Sequence, residues 1–232
     1  FNQVAKTRYV FGGNARIPLV IRGQQGTGRG NAATHSQSLE SLFMHIPGLK
    51  VVCPSTPADA AGLLRPAIRD DNPVCFFEHK VLYATKGEVP DDPDFCIPFG
   101  KADIKREGTD VTIVANLLYV KRALEAADEL AKEGISAEVI DPRTLVPFDY
   151  DTVAESVKKT GRLVVVHEAH QNNGWGAQVV SQVGQMVFPY LDAAPVHIGA
   201  KACPLPFNLG LEQAVLPSVK DIVDACKASL YR

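Results

Sequence analysis

Residues 110–141 read as strand, helix, strand, and that order constrains the chain more than any other feature. The run "DVTIVAN" is apolar and β-branched. "KRALEAADELAKEG" follows, with Leu124, Ala127 and Leu130 in one helical stripe and Gly134 as the stop. "SAEVID" supplies the second strand. Two strands joined through a helix lie parallel with a right-handed crossover, so helices must cover the sheet. The alternation continues through "YDTVAESVKKTG" and "RLVVVHE", then the helix "GWGAQVVSQVGQMVFPYL", the strand "APVHIGA" and the closing helix "SVKDIVDACKASLYR".

The N-terminal part alternates too. "FNQVAKTRYVF" reads as an amphipathic helix already under way, so an N-terminal truncation is expected. "IPLVIR" (17–22), "LKVVCP" and "VCFFEH" (74–79) have the length and composition of strands. Between the last two, Thr56 suits an N-cap, Pro57 the first helical position and Asp59 the first turn. Pro66 lacks a backbone donor, so a kink or early end of that helix is expected. "YATKGEVPDDPDFCIPFG" holds four acids and three prolines without periodicity. It reads as a linker, giving a domain over 1–85, a linker over 86–100 and a second domain over 101–232. The fold class is α/β, two domains with mainly parallel sheets.

The 232 residues are 46% hydrophobic and 22% charged, enough for a sizeable core. A formal net charge of −2 gives no overall pull toward nucleic acid or anionic lipid, and no apolar run has the length of a membrane span. Five scattered cysteines without a CxxC pair read as reduced thiols of an intracellular protein.

"GTGRGNAATHSQSLESLF" (26–43) is the main candidate for chemistry. Gly26, Gly28 and Gly30 fall one residue short of the dinucleotide fingerprint, and the Lys-Ser/Thr of a phosphate-binding P-loop is missing. The loop is either a plain turn or a ligand loop, and its place after a strand favours ligand. His35 stands just before a predicted helix over "SQSLESLFMHIPG", with Leu39, Leu42, Phe43 and Ile46 inward, Ser36 or Ser38 as cap and Glu40 in the first turn. At the positive pole of that helix an imidazolium is disfavoured, so the ring is expected to be neutral near pH 7, able to donate or accept a proton. His45, at the other end, reads as structural. "HEAH" (167–170) has the wrong spacing for a helical zinc motif, and positions three apart on a strand face opposite sides. Ser36 beside His35 makes no triad, since adjacent residues rarely reach that geometry.

Taken together, "NQVAKTRYVFGG", "IPLVIRG", "ATHSQSLESLFMHIPGLKVVCPSTPADAAGLL", "AIRDDNPVCFFEHKVLY", "EVIDPRTLVPFD" and "LPFNLGLEQAVLPSVKDIVDA" resemble one family in order along almost the whole chain. It is the beta subunit of thiamine-diphosphate-dependent 2-oxoacid dehydrogenases, of the pyruvate or acetoin dehydrogenase type, within the transketolase superfamily. The resemblance implies the C-terminal part of a pyrimidine-binding domain followed by a transketolase C-terminal-type domain. It implies an α2β2 assembly with an alpha subunit and a second beta subunit, docking to a dihydrolipoyl acyltransferase core and its lipoyl domain. It places the chain in a bacterial cytoplasm or a mitochondrial matrix.

His35 matches the family's active-site histidine, implicated in acyl transfer to lipoyl. Thiamine diphosphate would lie between subunits, its Mg2+ and diphosphate held by alpha; Asn172-Asn173 has no upstream GDG partner here. Leu19, Ala67, Ile68, Asp70 and Asn72 match the positions of a K+ site. Asp192 and the C-terminal carboxylate after Arg232 match residues that meet the acyltransferase core. The family's cofactor-activating glutamate and aromatic wall would lie upstream of Phe1, so the chain by itself is expected not to activate the cofactor. The alternative is a non-catalytic docking piece that binds alpha and the core. A transketolase or deoxyxylulose-phosphate synthase fits "HSQSLE…MHIPG" poorly.

Overall fold

The protein, as a computed structural model, is described over residues 1–231. Its helices are α1 (Thr7–Val10), α2 (Ala32–His35), α3 (Glu40–Met44), α4 (Pro57–Arg69), α5 (Leu118–Lys132), α6 (Tyr150–Thr160), α7 (Trp175–Met186), α8 (Leu209–Ala214) and α9 (Val219–Ser229). Its strands are β1 (Val20–Gln25), β2 (Lys50–Val52), β3 (Val74–His79), β4 (Asp103–Arg106), β5 (Val111–Ala115), β6 (Ala137–Asp141), β7 (Thr144–Val146), β8 (Leu163–His170) and β9 (Val196–Ala200).

Two sheets result, ordered β1-β3-β2-β7 and β4-β6-β5-β8-β9. Both are parallel except at one edge, where β7 and β4 pair antiparallel. β5 is buried along its whole length between two helical layers, its one polar residue, Thr112, bonded to the Ser156 and Thr160 hydroxyls of α6. α5 and α9 cover one face of this second sheet through Ala123, Leu130, Ile222 and Cys226. On the other face, α6 and α7 join a core that also takes in Val51, Cys53 and Phe77 of the first sheet. The two halves therefore share one hydrophobic core, and β7 crosses from the second half to complete the first sheet. No helix among the described residues is long and apolar enough to cross a membrane.

Several local expectations change. The N-terminal helix is a single turn, α1, with Tyr9 89% exposed, so "FNQVAKTRYVF" buries only Ala5. β1 begins three residues later than the apolar run, because its register is set by β3, Val20 opposite Val74. α4 does not stop at Pro66 but runs on to Arg69. The carbonyl that Pro66 leaves without a helical donor is that of Gly62, and it accepts the Ile97 N–H at 2.7 Å instead. Gly62 also has no room for a Cβ against Phe95 and Ile97. Segment 86–100 carries no strand or helix, yet Ile97, Phe95 and Phe99 pack on the α4 side of the first sheet.

Candidate active site

The parallel strands β1 and β3 end side by side at Gln25 and His79, and the glycine loop leaves from that edge. Gly26 has φ +94°, and a Cβ there would lie 2.2 Å from His79 Nε2, so only glycine lets the chain turn over the buried imidazole. The two N–H groups that follow point into the second half of the protein. Thr27 N–H donates to Glu168 Oε1 at 2.6 Å, and Gly28 N–H donates to Glu212 Oε2 at 3.0 Å. Glu168 Oε2 also meets His79 Nε2 at 2.9 Å. Burial pushes the Glu168 carboxyl up, but His79 and the Thr27 N–H prevail and hold it below the usual range.

The loop then enters α2, and His35 is its last residue. The ring is exposed, with Nδ1 2.8 Å from Thr34 Oγ1. His35 lines a cleft of about 410 Å³ together with Gln25, Arg29, Leu39, Phe77 and Lys80. The cleft opens at the carboxyl ends of β1 and β3, where open α/β sheets bind ligands. Beneath it, Gln25 Nε2 donates to Glu40 Oε1 at 2.7 Å while its Oε1 accepts the Leu39 N–H at 3.3 Å. Glu40 is fully buried, and burial raises its pKa despite the Gln25 and Asn116 amides.

This corrects the expected setting of His35. The imidazole ends a four-residue turn rather than preceding a helix, and α3 starts only at Glu40. The N-cap of α3 is Leu39, without a side-chain cap; Ser36 is buried with its hydroxyl unpartnered. The positive-pole argument for a neutral ring therefore has no helix to act through. Phe43 and Ile46 pack on the shared core, whereas Leu39 and Leu42 are exposed, the latter by 57%.

The transketolase pyrimidine binding domain matches residues 1–86, and the transketolase C-terminal domain matches residues 100–222. The beta subunit of acetoin:2,6-dichlorophenolindophenol oxidoreductase from Cupriavidus necator is 53% identical over 230 residues, 99% of this chain and 68% of that subunit. The pyruvate dehydrogenase E1 component subunit beta of Rhizobium meliloti is 48% identical over 231 residues, 100% of this chain and 50% of the relative. The chain belongs to this beta-subunit family. A solved split-gene transketolase, titled an inactive beta4 tetramer, matches with a TM-score of 0.76 at 28% identity, over 93% of this chain and 67% of its own. The chain thus spans half to about two thirds of the length of these relatives.

The other positions that the beta-subunit resemblance singled out lie apart from the cleft. Asp70 pairs with the Lys50 ammonium, and its Oδ1 accepts from Asn72 N–H at 2.8 Å and Asn72 Nδ2 at 2.9 Å. Lys50 and Asn72 together hold that carboxyl low against burial. Leu19 O accepts the Val74 N–H at 2.9 Å, and Ala67 is buried while Ile68 is exposed near the end of α4. The Lys50 ammonium lies on one oxygen of the Asp70 carboxylate, and the Leu19 carbonyl takes part in the sheet. Asp192 is exposed, pairs with Arg162 at 2.9 Å and borders an apolar groove with Phe188, Leu191, Pro195 and Tyr231. Arg232 lies outside the described residues.

"HEAH" lies on β8. His167 is buried against Trp175 and His197, while His170 Nδ1 lies 2.8 Å from Lys201 O. Glu168 of this motif, with Lys80 and Glu212, escaped the sequence reading. Lys80 does follow directly on an apolar strand, the position where side chains reach a strand-end cleft, and that was the available signal. Nothing in the local sequence links Glu212 to residues 184 positions away.

Proposed function

We propose that this chain belongs to the beta subunit of a thiamine-diphosphate-dependent dehydrogenase acting on a 2-oxoacid or acetoin and passing the acyl group to lipoyl. The observation that carries the reading is the exposed His35 imidazole beside a cleft walled by Phe77 and Leu39 at the ends of β1 and β3. The apolar side chains of Phe77 and Leu39 beside the amides of Gln24 and Gln37 suit a heteroaromatic ring. When bound, thiamine diphosphate supplies a carbanion that adds to the substrate carbonyl and holds the electron pair released as the adjacent carbon–carbon bond breaks. His35 gives a proton to the sulfur that leaves as the lipoyl disulfide opens. Mg2+ and diphosphate are assigned to an alpha subunit in an α2β2 assembly with a second beta subunit. Asp192 and the apolar groove beside it are assigned to the acyltransferase core. The compartment is a bacterial cytoplasm or a mitochondrial matrix.

The test compares two acceptors in the enzyme assembled from the whole beta subunit and its alpha partner. His35→Gln is expected to lower lipoyl acylation about 100-fold more than turnover with 2,6-dichlorophenolindophenol, the size of a lost general acid. Equal effects on both acceptors would remove His35 from the transfer step. A wild-type subunit that binds alpha but turns over neither acceptor would leave docking as its only role.

A further inference from the structure

α2 is too short to hold itself. A four-residue helix is closed by only two i→i−4 hydrogen bonds, and the carbonyls at its end have no partner within it. Yet it fixes where the His35 ring stands in the cleft. From outside, the Gly26 N–H donates to Gln37 O at 3.3 Å across the loop, and among the described residues Lys80 supplies the side-chain support. Lys80 Nζ donates to the main-chain carbonyl of His35 and reaches Asn31 Oδ1 at 3.5 Å, so one ammonium touches both ends of the turn. Lys80 is itself fixed: its N–H donates to Gln25 O at 3.1 Å, and its carbonyl accepts from Arg29 NH2 at 2.9 Å.

We propose that Lys80 is a positioning residue for His35, with Glu168 and Glu212 of the second half as the clamp on the glycine loop that leads into its turn.

Lys80 is only 5% exposed, so its charge needs compensation. Burial lowers its pKa, while Glu168 and Glu212 act in the opposite sense. The same two carboxylates accept the Thr27 and Gly28 N–H groups that lead into α2. One carboxylate pair therefore holds the loop whose end that ammonium grips. A neutral side chain of the same length would leave the His35 carbonyl and Asn31 Oδ1 without this donor. Arginine keeps the charge but puts a planar fork where a point donor stands.

The inference rests on the proposed role of His35, so its test has a readout that does not depend on turnover. In this chain without cofactor, 15N-resolved NMR follows the imidazole of His35, assigned by its loss in His35→Gln. Lys80→Met is expected to shift and broaden those signals, Lys80→Arg to do so less, and Glu212→Gln to fall between. In the assembled enzyme, Lys80→Met is expected to lower lipoyl acylation roughly 10- to 100-fold more than dichlorophenolindophenol turnover, the cost of a reacting group displaced by about an ångström. Unchanged His35 signals in Lys80→Met, with both acceptors affected alike, would overturn the proposal. Should Lys80→Met fail to fold, Lys80→Arg and Asn31→Ala carry the same measurement, and His35 signals identical to wild type in both would overturn it. Disturbed His35 signals in a protein whose His35→Gln form shows no acceptor difference would uphold the positioning and sink the assigned chemistry.

Discussion

Asp141, the last residue of β6, is fully buried. Its Oδ1 accepts the Arg143 N–H at 2.9 Å, and Oδ2 has no partner. Burial first, then the nearby Asp59 carboxylate, push its pKa from 3.8 up to about 7, against the pull of Lys105. The folded state thus holds a proton that the unfolded state releases near pH 4. Stability from this group is fully present below about pH 4 and is lost as pH rises through about 7. A gap of about three pKa units corresponds to about 4 kcal/mol at pH 8. Asp141→Asn keeps the acceptor for Arg143 and removes the titration. Its unfolding free energy, measured by urea denaturation between pH 4 and pH 8, is expected to lie within about 0.5 kcal/mol of wild type at pH 4 and to exceed it by about 1.6 kcal/mol already at pH 5. It should exceed wild type increasingly toward pH 8, where the melting temperature would be higher by about 10 °C. A difference that stays flat, or shrinks as pH rises, would mean that Asp141 is a well-paired carboxylate and would refute the reasoning.

The acid limb should belong to His167, which burial, with His197 adding, holds down at about 4. The unfolded chain takes up this proton below about 6.5, so stability should fall by up to about 3 kcal/mol between pH 6.5 and 4, and His167→Leu should flatten that limb in the same urea series. Gly26→Ala places a Cβ 2.2 Å from His79 Nε2 at a positive φ, and should cost about 3 kcal/mol in urea unfolding at pH 7. Pro66→Ala should change stability by less than about 1 kcal/mol, far below the ~3 kcal/mol of an ordinary helix-interior proline, because Ile97 already holds the Gly62 carbonyl. A thermal melt raised by several degrees would count against that account.

Much of the frame was legible in the chain. The unit β5-α5-β6, the capping box of Thr56 and Asp59 and the strand 74–79 were readable because periodicity, caps and β-branching act within a few residues. The same signals misjudged the His35 region. A polar run followed by spaced leucines suggests a helix starting directly after His35, but α3 starts only at Glu40, whose buried carboxylate is held by Gln25 and Asn116, and His35 ends the separate turn α2.

By itself the sequence determined the α/β class, the order of most helices and strands, and that His35 follows a glycine loop at a strand end, since each depends on neighbours along the chain. Only the tertiary structure decided that β7 completes the first sheet, that Ile97 rescues the carbonyl left by Pro66, that Lys80 grips the turn carrying His35 and that Glu168 and Glu212 hold the loop before it. Those contacts join residues far apart in the chain. What selects them is the need to pair buried charges and backbone groups once the two sheets close on one core, and no local pattern encodes that demand.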